Sequence, residues 1–163
     1  MDGESWRDVL QGMAGELECR GVVSKEYVSA LLQREEQFPT GLPTEPVGVA
    51  IPHADAQFVR SPAIAVAKLR RPVLFRRMDL PSTEVAVSLV VMLAIHQAEW
   101  QVRLLEAVAR VLQDPGLIGE LASATSGDEL RQVFLASLRG CEAGDESAGP
   151  SRKTGGLCCE ADV

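Results

Sequence analysis

The residue best placed to do chemistry is His53. It ends the run Pro39-Thr-Gly-Leu-Pro-Thr-Glu-Pro-Val-Gly-Val-Ala-Ile-Pro-His53, which delivers a histidine past a short apolar stretch through prolines and glycines. Residues Val47 to Ile51 have the length and apolar character of a buried strand. Pro52 stops both pairing and helix continuation, so His53 is expected to leave the sheet at its edge or end. A neutral imidazole, with an ordinary pKa of about 6.5, can attack phosphorus near neutral pH without a separate base. Spacing alone leaves two readings of His53 open, a phosphoryl carrier and a turn histidine.

Phosphoryl transfer asks little of a protein beyond positioning and charge stabilisation. A cation is therefore expected near His53, and Arg34 is the candidate, since its guanidinium can give a phosphoryl group two hydrogen bonds. The competing role for Arg34 is compensation of a helix C-terminus plus a surface pair with Glu35 or Glu36. Asp55 could orient the imidazole, repel a misplaced phosphate or form an Asx turn. Thr40 and Thr44 offer hydroxyls to the site or to a turn, and His96 is either a second imidazole at a strand end or an exposed loop histidine.

The elements that must hold these residues can be read from periodicity. Trp6, Val9, Leu10, Met13 and Leu17 mark an amphipathic first helix. Ser24 is a suitable N-cap for a second, with Tyr27, Val28, Leu31 and Leu32 inward and its end at Phe38-Pro39, which puts Arg34 and Glu35 in the last turn. Three central strands are expected at Val47–Ile51, Ala63–Leu69 and Val85–Ile95, and Pro72 to Phe75 suggests a short edge strand or a hairpin arm before the polar turn around Met78 to Thr83. From Glu99 the pattern is helical through Leu104, Leu105, Val108, Val111 and Leu112. A short helix follows from Pro115 to Ala122, then another opened by the capping box Ser126-Gly-Asp-Glu129. Periodicity alone supports a mixed α/β protein.

With 163 residues, 46% hydrophobic and 24% charged, the chain has room for one globular domain. Its net charge of -7 argues against a nucleic-acid partner. The apolar run Val85 to Ile95 is about half the ~20 residues that a membrane helix needs, and no signal sequence precedes it, so a cytoplasmic protein without membrane insertion is expected. Cys19, Cys141 and the neighbours Cys158-Cys159 form no disulfide framework or zinc pattern. The domain is expected to span residues 1–139. Residues 140–163, rich in Gly, Ser, Glu and Asp, read as a disordered tail.

Five segments in order, Leu32-Gln-Arg-Glu-Glu36, Pro39-Thr-Gly-Leu-Pro43, Gly48-Val-Ala-Ile-Pro-His-Ala-Asp55, Ala63-Ile-Ala-Val-Ala67 and the later helices, resemble the enzyme IIA domains of the bacterial phosphoenolpyruvate-dependent sugar phosphotransferase system. The resemblance covers residues 5 to 138 of the chain, lies within the fructose–mannitol superfamily, and is nearest its galactitol-type branch. It implies a three-layer sandwich with a mixed sheet of about four or five strands and helices on both faces. It also implies that His53 accepts phosphate from the phosphocarrier HPr and yields it to a cysteine of a IIB component, upstream of a membrane IIC permease. Arg34 falls on the family's active-site arginine. Many fructose- and mannitol-type relatives have a second histidine where alignment puts Gln101, so a hydrogen bond from Gln101 to phosphate, or core-edge packing, replaces it. No metal or organic cofactor is implied.

Transfer between proteins calls for exposed apolar residues around His53, with Leu42, Ile51 and Phe58 as candidates. A rival reading of the same site is a regulatory module, whose phosphorylation state controls binding to a target protein. A hydrolase using His53 with Asp55 lacks a nucleophile in a Gly-x-Ser-x-Gly turn.

Overall fold

The structure, a computed structural model, describes residues 1–96, 106 and 108–140. Two helices come first, α1 (Trp6–Cys19) and α2 (Glu26–Gln37), then strands β1 (Gly41–Leu42), β2 (Gly48–Ala50), β3 (Ala63–Arg76) and β4 (Glu84–Ala94). Residues 108–112 are helical, and α3 (Pro115–Ser123) and α4 (Gly127–Gly140) follow. The four strands form one mixed sheet in the order β1-β2-β4-β3, with β2 parallel to β4 and the other pairs antiparallel.

The sheet is buried on both faces, as the alternation along β4 makes plain. Val90, Met92 and Ala94 pack with α1 and α2, through Val9, Leu10, Met13, Tyr27 and Leu31. Leu89, Val91 and Leu93 point the other way, into a second core with Val108, Val111, Ile118, Leu121, Leu130 and Phe134. A strand sandwiched in this way is apolar at nearly every position, which is why Val85 to Ile95 reads as a continuous hydrophobic run. Each large aliphatic side chain buried here contributes about 1.5–3 kcal/mol. The mixed α/β sandwich with helices on both faces is the expected architecture.

Several boundaries differ from expectation. Helix α2 starts at Glu26 after Lys25, and Ser24 contributes its backbone carbonyl, which accepts from the Tyr27 N–H at 3.1 Å. Of the two alternatives for Pro72 to Phe75, the hairpin arm holds and the separate strand does not: the segment is the far half of β3, pairs with the start of β4, and is joined to Ala63–Leu69 across a register shift between Lys68 and Val73. Strand β3 is also the edge of the described sheet rather than central, and an exposed edge with a bulge tolerates a proline that cannot donate to a ladder. The Ser126–Glu129 box is half formed. Ser126 Oγ accepts from the Glu129 N–H, while the Glu129 carboxylate takes both the Thr125 N–H and hydroxyl. The start of the helix expected from Glu99, including Gln101, lies outside the described residues.

Short β2 depends on glycine. A Cβ on Gly48 would collide with the Ala86 carbonyl and lie 3.0 Å from Val85, so the parallel approach of β2 to β4 needs a residue without a side chain. No helix among the described residues is long and apolar enough to cross a membrane.

Candidate functional site

Strand β2 runs parallel to β4, so its C-terminal end lies beside that of β4, the edge where open α/β sheets commonly place their sites. Pro52 follows and accepts from the Leu93 N–H at 3.0 Å, and His53 bridges to Leu93 as an isolated continuation of the ladder. The histidine thus leaves the sheet at its end with its backbone still fixed, as the Gly–Pro approach led one to expect.

The imidazole is half-buried and held from both sides. Nδ1 lies 3.1 Å from the Ile51 carbonyl and Nε2 lies 3.1 Å from Nη2 of Arg34. A carbonyl only accepts and a guanidinium only donates, so the two bonds together assign the tautomer: Nδ1 carries the proton and Nε2 presents a lone pair. Burial pushes the His53 pKa below its ordinary value. The bond to Ile51 pulls it back up, the Arg34 charge lowers it and the Asp55 charge raises it, with burial the largest influence. The ring is therefore neutral at physiological pH, with Nε2 free to act as a nucleophile once Arg34 turns to an incoming anion.

Arg34 sits in the last turn of α2, 3.5 Å from the Asp55 carboxylate and over the Phe38 ring at 5.8 Å. The competing surface pair of Arg34 with Glu35 or Glu36 is not formed among the described residues. Glu36 pairs with Arg7 at 2.8 Å, and Glu35 turns inward, 4% exposed, to Thr40. Asp55 engages Arg34, and its side chain makes no cap to the 3-10 turn Ala56–Phe58 that follows. Thr44 closes a turn by donating to the Val47 carbonyl at 2.7 Å, across the cis Glu45–Pro46 bond. His96 is exposed just beyond β4 and, among the described residues, bonds to neither His53 nor Arg34.

Two features escaped the sequence reading. The inward Glu35 follows Tyr27 and Leu31 at steps of four along the buried stripe of α2, a spacing that signals burial even for a carboxylate. Burial raises its pKa against the lowering effects of the Thr40 N–H, the Thr40 hydroxyl and the Arg76 charge. The second feature is the apolar rim. Leu42, Ile51 and Phe58 are all half-buried, with Ile51 and Phe58 packed against the cores. The exposed large apolar residue beside Arg34 is Phe38, at 64%.

A neutral, oriented imidazole against an arginine at the end of a sheet is a constellation for accepting a phosphoryl group. Comparisons with known proteins agree on the class. The family model described as "Phosphoenolpyruvate-dependent sugar phosphotransferase system, EIIA 2" matches residues 1–137. The galactitol-specific EIIA component of Escherichia coli K12 is 35% identical over 127 residues, covering 78% of this chain and 83% of that protein. The transcriptional regulator ManR of Bacillus subtilis is 30% identical over 120 residues, covering 72% of this chain and 17% of the regulator. The fold matches that in the complex of mannitol enzyme IIA with phosphorylated enzyme IIB from Escherichia coli, with a TM-score of 0.67, 23% identity, and coverage of 83% of this chain and 91% of that one.

The chain belongs to the EIIA 2 family of the phosphoenolpyruvate-dependent sugar phosphotransferase system. It is a phosphotransferase component of the phosphocarrier type, which takes a phosphoryl group on a histidine and passes it to a IIB component.

Proposed function

We propose that His53 is the phosphoryl acceptor and Arg34 the group that stabilises the phosphate. The observation that carries this reading is the pair of bonds at the imidazole, Nδ1 to the Ile51 carbonyl and Nε2 to Arg34. In the forward step the Nε2 lone pair attacks the phosphorus of phospho-HPr. A P–N bond forms at Nε2 as the P–N bond to the donor histidine breaks, and the donor ring leaves with the electron pair. Arg34 turns from Nε2 to the equatorial oxygens, where two N–H donors match their geometry. A cysteine thiolate of the IIB component then attacks the same phosphorus and returns His53 as the neutral ring. Phe38, exposed beside Arg34, provides an apolar contact for both partners.

The 35% identity to a galactitol-specific component supports a sugar alcohol of that kind as the cargo of the associated permease. A second reading, favoured by the similarity to ManR, is that the phosphorylation state of the same histidine controls binding to a regulatory target. Incubation with phosphoenolpyruvate, enzyme I and HPr, followed by mass spectrometry under conditions that preserve phosphohistidine, tests the acceptor. Addition of candidate IIB proteins then tests the direction of transfer. Rapid loss of the label to a galactitol-type IIB supports transport, and stable retention with changed affinity for a regulator supports the second reading.

A further inference from the structure

We propose that Glu35 and Thr40 are positioning residues for the reaction at His53, an inference that rests on the reading of His53 as the acceptor. Burial of a carboxylate is costly, so a glutamate only 4% exposed needs full hydrogen bonding to persist. Glu35 receives it from one residue. The Thr40 N–H donates to Oε1 at 2.9 Å and the Thr40 hydroxyl donates to Oε2 at 2.8 Å. The Thr40 carbonyl in turn accepts from the Ile51 N–H at 3.3 Å.

These bonds close a ring around the site. Arg34 is covalently joined to Glu35; Glu35 holds Thr40; Thr40 holds the Ile51 backbone; the Ile51 carbonyl holds Nδ1 of His53; and Nε2 of His53 meets Arg34. The helix end that carries the cation and the strand end that carries the nucleophile are thereby set in one frame. Tyr27 anchors the other end of α2 to that frame, donating to the Leu93 carbonyl at 3.3 Å, next to the ladder position of His53. Arg34 and Asp55 face solvent in part and could hold several geometries alone; the buried carboxylate removes that freedom at the backbone from which Arg34 projects.

Thr40→Val removes the hydroxyl bond, and Thr40→Ser retains it. Two readouts separate positioning from plain stability. The first is the tautomer of the unphosphorylated His53 ring, read by 15N–1H NMR. The second is the split of transfer kinetics into kcat and KM for phospho-HPr, with every variant assayed well below its melting temperature. The expected result is that Thr40→Val mixes the two tautomers and lowers kcat roughly tenfold at unchanged KM, while Thr40→Ser restores both to wild type. A Thr40→Val protein that melts earlier but keeps the wild-type tautomer and kcat overturns the proposal, leaving Glu35 and Thr40 as structural only. If Thr40→Val does not fold, Glu35→Gln carries the same two readouts and the same criteria. His53→Ala is labelled in parallel. Labelling that survives in it strikes the acceptor reading, and the tautomer measurement, which needs no transfer, still decides whether Glu35 and Thr40 position the ring.

Discussion

Arg34 and His53 lie 19 residues apart in the chain, on a helix end and a strand end, and their side chains meet at 3.1 Å. A guanidinium against an unprotonated imidazole nitrogen is a resting contact that an incoming phosphoryl group can replace, since its oxygens offer the arginine better acceptors. The substitutions Arg34→Lys and Arg34→Gln should therefore grade the reaction without harming the fold. Lysine keeps the charge and loses the two-pronged geometry, so transfer should slow several-fold; glutamine loses both and should slow it by roughly 10²-fold. Equal rates for all three proteins at matched thermal stability would reduce Arg34 to a helix-end surface charge.

The neighbours of His53 should be readable in its titration. Its pKa lies below the ordinary value of about 6.5, chiefly through burial, so an NMR titration of the ring should give a midpoint under that value. Arg34 lowers the pKa and Asp55 raises it, so Arg34→Gln should move the midpoint up and Asp55→Asn should move it down. The linkage has a definite sign. Between the folded and unfolded pKa values the unfolded chain binds more protons, so stability from this ring is present above about pH 6.5 and lost as pH falls through the depressed folded value. Shifts in the opposite directions would contradict the electrostatics described for the site.

The juxtaposition of His53 with Arg34 was legible from the sequence because backbone constraints point to it. Prolines and glycines before His53 dictate a strand that ends at a histidine, and a helix that must stop before Pro39 leaves Arg34 in its last turn. Glu35 was harder to read, since a carboxylate beside Arg and Glu looks solvated and only its four-residue step from Leu31 betrays the buried stripe. Phe38 read as a helix terminator, and nothing in its identity tells an exposed ring from a packed one. The length of β3 was hidden by Pro72, a residue that argues against a central strand but not against a bulged edge.

Gly48 should tolerate no side chain. Gly48→Ala sets a methyl against the Ala86 carbonyl and Val85, an overpacking that should cost about 1–3 kcal/mol, measured by urea denaturation. Because β2 leads directly to His53 through Ile51 and Pro52, the variant should also lose transfer, whereas unchanged stability would mean that β2 can shift away from β4.

We propose that the phosphocarrier domain ends near residue 139, in keeping with the family match over residues 1–137 and with α4 running to Gly140. A chain that stops after Gly140 should keep its melting temperature within a few degrees and accept phosphate at the full rate. A large fall in melting temperature would show that residues 141–163 contribute to the folded domain.

Phosphorylation of the chain with phosphoenolpyruvate, enzyme I and HPr, read by mass spectrometry at neutral to alkaline pH, shows whether His53 is the acceptor. The expected result is one added phosphoryl group, mapped to His53 and bonded at Nε2 by 31P NMR, and no labelling of His53→Ala whose circular dichroism matches wild type. Normal labelling of folded His53→Ala would contradict it.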